Sequence, residues 1–158
     1  MRFKKIKVTS DNKISLQYEV KSGTGSLFDE FSFTTSDQAK PSFHEALQAL
    51  KEDVRELCEL PEEYRERIFV KGGSFSYGGE NEVMGATIIA NMSLRESNIP
   101  LNLVTPHKAS EPYSDGKADP KALLSEDCVG RLRNLVEEAE KFVKGVRAQG
   151  NLFAEATK

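Results

Sequence analysis

At 158 residues, 38% hydrophobic and 30% charged with no Trp, the chain has the length and make-up of one globular domain, which excludes a disordered tract. A net charge of −3 without a block of five or six like charges excludes a grip on a phosphate backbone by bulk charge, so direct nucleic-acid binding is not expected. No apolar run approaches a membrane span, and the basic start MRFKKIKV lacks the apolar stretch of a signal peptide, so the chain is expected to stay in the cytoplasm.

Residues 13 to 20, KISLQYEV, alternate apolar and polar, placing Ile14, Leu16, Tyr18 and Val20 on one face of a half-buried strand. Segments 2 to 8 and 27 to 34 carry a similar alternation and join it through the turn clusters TSDN and KSGTGS. These three strands form an antiparallel meander. The period then changes: Phe43, Ala46, Leu47, Leu50, Val54, Leu57 and Cys58 fall at helical spacing, with Pro41 suited to a first turn. One helix over 41–59 follows, stopped by Leu60-Pro61, and EEYRER reads as a solvated connection or short extra turn.

Residues 67 to 76 and 83 to 94 read as two further strands joined by YGGENE, the second an interior strand. LNLV at 101–104 reads as a short edge strand begun by Pro100. The segment 105 to 121 has three prolines and no apolar period. Ser125 begins a helix over 125–147, with Glu126 and Asp127 in its first turn and Val129, Leu132, Val136, Ala139, Val143 and Val146 along one stripe.

The order βββ-α-ββ(β)-α predicts an α+β domain over 1–147, an antiparallel sheet of five to six strands in hairpins with two helices packed on one face, followed by a tail over 148–158. Cys58 and Cys128 fall on apolar helix faces, where a free thiol behaves as a small hydrophobe. The cysteines and the two histidines, His44 and His107, show no CxxC or HxxxH spacing, so neither a metal nor another cofactor is expected. Oligomeric state is left open, and a homo-oligomer is compatible with the sequence.

Three segments depart from fold grammar. In GGSFSYGGEN, 72 to 81, four glycines surround Ser74, Phe75, Ser76 and Tyr77. Glycines let backbone amides approach an anion, but neither GxxxxGK[ST] nor GxGxxG is present, and glycine clusters also mark hairpins and bulges. The loop of 105 to 117 gathers His107, Lys108, Ser110, Tyr113, Ser114 and Lys117, donors suited to phosphate or carboxylate, against the plain reading of a proline-stiffened surface loop. A histidine with no identifiable nucleophile or carboxylate partner is not a catalytic dyad, so the sequence favours a protein without enzymatic activity.

The third segment is Gln149-Gly150-Asn151-Leu152-Phe153. It resembles the short peptides by which bacterial replication and repair proteins bind the DNA sliding clamp: Gln, two variable residues, then Leu-Phe. The resemblance implies Gln149 as a polar anchor and Leu152 with Phe153 as an apolar plug, while Gly150 replaces the family's common leucine. The competing reading folds Leu152 and Phe153 back onto the domain's own sheet. Across VKGGSFSYGGENEVMGATIIA, LNLVTPHKASEPYSDG and RAQGNLF, the chain is similar to small accessory proteins of tailed phages and prophages, which implies a bacterial cytoplasm during infection or lysogeny.

Two expectations follow. The first is a non-enzymatic phage-type accessory protein of DNA metabolism, docked on the host sliding clamp through Gln149, Leu152 and Phe153. The second is a binder of a small ligand, such as a nucleotide signal of host defence, held where loops 72–81 and 105–117 meet in a cleft of Ser74, Ser76, Tyr77, His107, Lys108 and Tyr113.

Overall fold

A computed structural model describes residues 1–23, 27–113 and 119–148. The first meander forms as its alternation predicts: β1 (Arg2–Val8), β2 (Ile14–Lys21) and β3 (Phe28–Thr35), each antiparallel to the next. Next come α1 (Pro41–Gln48), α2 (Lys51–Leu57) and a 3-10 turn over Glu62–Arg67. The chain then enters the hairpin β4 (Ile68–Gly78) and β5 (Val83–Met92). β6 (Leu101–Val104) and the two-residue β7 (Lys108–Ala109) both pair with β5. A second 3-10 turn (Pro120–Ala122) leads into α3 (Glu126–Val143).

The strand order is β3-β2-β1-β4-β5-β6, with β7 also on β5. β1 and β4 are therefore joined across the helical segment, and the sheet is antiparallel throughout its named strands. This is an α+β fold, as expected, with β5 paired on both sides.

Alternation divides the sheet. Phe3, Ile6, Leu16, Val70, Phe75, Ala86, Ile88 and Ala90 point to one face, where they form a single buried core with Phe43, Leu47, Leu50, Val54, Leu132, Leu135 and Phe142 of the helices. Phe43 and Phe142 lie 6.2 Å apart, ring to ring, where α1 meets α3. The register places Ser15, Gln17, Lys5, Lys7, Gly72, Ser74, Ser76, Gly85, Thr87, Ile89 and Asn91 on the opposite, helix-free face.

Two expectations about helices are corrected. The single helix over 41–59 is two helices, making three among the described residues, because the turn at Ala49-Leu50 tightens: the Leu50 N–H donates to Leu47, three residues back, at 3.2 Å. The tightened turn keeps Leu47 and Leu50 both in the core and leaves Gln48 facing β4. There its amide completes Val70, donating to the Val70 carbonyl at 2.8 Å and accepting from the Val70 N–H at 3.0 Å. α3 stops at Val143 rather than 147, since Gly145 adopts φ +103, and Val146, expected on the buried stripe, is exposed. Its start is as read: the Ser125 hydroxyl accepts from the Cys128 N–H at 3.1 Å.

The strand read over 67–76 runs on to Gly78 as β4, with a turn only at 79–82, so the segment 72–81 weighed as a ligand loop is mostly strand. A register shift between Val70 and Gly72 leaves Lys71 as the extra residue of a bulge. Gly72 is required there, because a Cβ would run into the Ile6 carbonyl of β1.

Candidate functional site

Ser76 stands near the end of β4 on the helix-free face, and His107 lies in the turn between β6 and β7. The register Ser76↔Gly85↔Ala109 draws the two together although 31 residues separate them. Ser76 Oγ and His107 Nε2 are 2.7 Å apart, and both residues are exposed. Gly85 makes this possible: a Cβ at that position would stand 2.5 Å from His107 Nε2 and 2.9 Å from Ser76 Oγ. A missing side chain on β5 is thus the seat of the imidazole.

Tyr113 packs at the same end of the sheet, with its ring against Gly78 and its carbonyl beside Gly79, so the segment after β7 does meet the end of β4. Ser74 lies two residues along the same face, between Lys5 and Thr87. Of the expected cleft residues, Ser74, Ser76, His107 and Tyr113 belong to this side.

Tyr77 and Lys108 do not. Tyr77, one residue out of phase with Ser76, joins the core side and donates its hydroxyl to the Phe3 carbonyl at 2.7 Å. Burial pushes its phenol above the ordinary range. Lys108 pairs with Ala86 and lines a different cavity of about 490 Å³ between α2 and the start of α3, beside Asp53, Glu56, Lys121, Leu124 and Cys128. There Asp53, 2% exposed, is held by Arg131 through two hydrogen bonds of 2.8 and 2.9 Å. Cys58 and Cys128 are free; burial, with the Asp53 carboxylate beside it, pushes the Cys128 thiol up to about 12, which disfavours the thiolate.

The histidine that the sequence leaves without a partner has one. In the Ser76–His107 pair the imidazole can take the hydroxyl proton or donate to its oxygen, according to tautomer. Hydrolytic catalysis asks for a third group that orients the imidazole. Among the described residues no carboxylate bonds to His107, and no group of three or more His, Cys, Asp or Glu is placed to hold a metal ion. The pair is suited to holding a ligand by hydrogen bonds.

Gln149, Leu152 and Phe153 lie outside the described residues. The last described contact before them is the Ala148 N–H donating to the Gln38 carbonyl at 2.9 Å, with Arg147 against Asp37 at 3.3 Å. Among the described residues no helix is long and apolar enough to cross a membrane.

The sequence also gives no sign of a second polar concavity on the helix-free face. A groove of about 430 Å³ lies at the other end of the face, where Lys7, Lys71, Asn91 and Asn102 surround Ile89 and Val104. Four strands supply it, and only their register reveals it. No protein-family model matches the chain, and comparisons with curated proteins and with solved structures find no match to it.

Proposed function

We propose that this protein binds a small nucleotide-type ligand at the Ser76, His107 and Tyr113 end of its helix-free face. The observation that carries the reading is the exposed Ser76–His107 hydrogen bond seated on Gly85. An exposed polar pair of this kind contributes little to folding, since water satisfies both partners equally well. It does set two hydrogen-bonding atoms in fixed relation above a strand position with no side chain. The ring of Tyr113, 43% exposed, supplies an aromatic surface beside them for a base.

A thermal-shift screen with linear and cyclic nucleotides tests this. A ligand at a hundredfold its Kd stabilises the folded chain by about 2.7 kcal/mol, a clear rise in Tm. Ser76→Ala and His107→Ala should each weaken binding at least tenfold. No shift with any nucleotide, or equal shifts in both variants, removes the reading.

A second reading rests on the terminal peptide: docking of a phage-type accessory protein on the bacterial sliding clamp through Gln149, Leu152 and Phe153. What favours it is position, since the peptide begins directly after the backbone tie of Ala148 to Gln38 at the domain's edge. Adjacent large apolar side chains suit a preformed pocket. Titration of purified clamp should show binding that Leu152→Ala with Phe153→Ala abolishes, and an intact chain that does not bind ends this reading.

A further inference from the structure

Cations on the helix-free face differ in how they are paired, and Lys5, in mid-face between Gln17 and Ser74, makes no ion pair among the described residues. At the β1–β2–β3 end they are matched: Arg2 meets Glu82 at 2.9 Å and Glu19 at 3.6 Å, while Lys4 meets Glu30 at 3.2 Å and Glu19 at 3.6 Å. At the β1–β4–β5–β6 end they are not. Lys7 and Lys71, both half-buried, make no ion pair and no side-chain hydrogen bond among the described residues. Asn91 and Asn102 face each other across β5 and β6, and their amides likewise have no protein partner among those residues. All four line the groove of about 430 Å³, whose lining contains no carboxylate. The nearest acid along the chain, Asp11 in the β1–β2 turn, is already engaged by Thr9 and by Lys13 at 3.7 Å.

The geometry points to a phosphate-binding site: we infer that Lys7 and Lys71 hold a phosphate group, the Asn91 and Asn102 amides donate to its oxygens, and Ile89 with Val104 carries the less polar part of the molecule. Several features of the fold converge on this. The bulge that inserts Lys71 between Val70 and Gly72 adds an ammonium to this groove, where a regular strand would have no extra residue. Gly72 lets β1 close up against it, bringing Lys7 alongside. Two lysines in one groove that holds no carboxylate offer an anion two charge-assisted partners. Val104, 64% exposed and opposite Ile89, gives an apolar floor beside the charges, an arrangement suited to a ligand with one charged end.

This site stands apart from the Ser76–His107 pair. Lys71 and Ser76 are five positions apart on β4, at most roughly 16 Å at about 3.3 Å per residue. The two sites share no residue, and the inference does not depend on the function proposed above.

The phosphate has two sources, free inorganic phosphate or a phosphate monoester of a nucleoside, and a titration of the isotope-labelled full chain followed by backbone and side-chain amide resonances separates them. Inorganic phosphate should shift the amides of Lys71, Gly72, Asn91 and Asn102 saturably, while chloride at matched ionic strength should not. Adenosine monophosphate binding at least tenfold tighter at the same amides identifies the monoester; equal affinity identifies free phosphate. Lys71→Gln should weaken binding at least tenfold, and Lys7→Gln with Lys71→Gln should abolish it while leaving the other resonances in place. Shifts that never saturate, that centre on Ser76 and Gly85 instead, or that persist in the double variant overturn the proposal.

Discussion

The two faces of the sheet use polar groups in opposite ways. On the helix-covered face each buried polar group is met by a partner that joins two elements: Asp53 by Arg131 across α2 and α3, Glu138 by the Ser42 hydroxyl across α3 and α1, the Val70 backbone by Gln48. The Ser42 bond, aided by Lys141, holds the Glu138 carboxyl below its usual range. On the bare face, toward β4, β5 and β6, Ser76, His107, Lys7, Lys71, Asn91 and Asn102 join no helix to the sheet. Polar groups that tie a helix to the sheet therefore lie on the covered face, while the bare face carries strand-to-strand ion pairs toward β1, β2 and β3 and unpaired polar groups toward β4, β5 and β6.

Substitution should expose that separation, most strongly in the core. Phe43, 1% exposed, fills the junction of α1 and α3 against Phe142, and Phe43→Ala should cost about 3–5 kcal/mol in urea denaturation. Ser74→Ala on the bare face should change stability by no more than about 0.5 kcal/mol. Comparable losses at the two positions would mean that the bare face also supports the fold, and the contrast would be lost.

Gln48 tests the covered face at one polar joint. Gln48→Ala removes both hydrogen bonds to Val70 and leaves a buried N–H and carbonyl without partners, at a cost of about 1–2 kcal/mol. Hydrogen exchange at the Val70 amide should accelerate with the loss. An unchanged exchange rate would show that β1 or water closes the strand edge without α1.

Much of the fold is legible in the sequence because alternation with period two survives wherever one face is buried. The strand of residues 101 to 104 has the ends that its composition predicts, and those of β1, β2 and β3 lie within a residue or so. The break at Ala49-Leu50 is not legible, since no Gly or Pro marks it; it follows from the fit of Leu47 and Leu50 to the core and of Gln48 to Val70. GGSFSYGG misleads only where it is weighed as a ligand loop, whereas Gly72, like Gly85 of β5, is a strand residue whose missing side chain admits a neighbour, β1 at Gly72 and His107 at Gly85. Ser76, His107 and Tyr113 are nameable as candidates but not as neighbours, while Tyr77 and Lys108 fall away once register assigns their sides. The Lys7, Lys71, Asn91 and Asn102 groove leaves no local trace at all, being made by one bulge and the register of four strands.

The smallest expected effect is the most discriminating, because its sign differs. Lys71 shares its groove with Lys7 and has no carboxylate there, so Lys71→Gln removes a repulsion rather than an attraction. Stability in dilute chloride buffer should rise by on the order of 0.3 kcal/mol, the scale on which exposed charges interact. In 1 M salt, with a screening length of about 3 Å, the gain should vanish. Comparing urea midpoints of the two chains at both salt concentrations measures this directly. A gain of stability would show that Lys71 does not support the fold; a loss of stability on removing Lys71 would instead assign the lysine to the architecture of the bulge and bring the bare face under the same rule as the covered one.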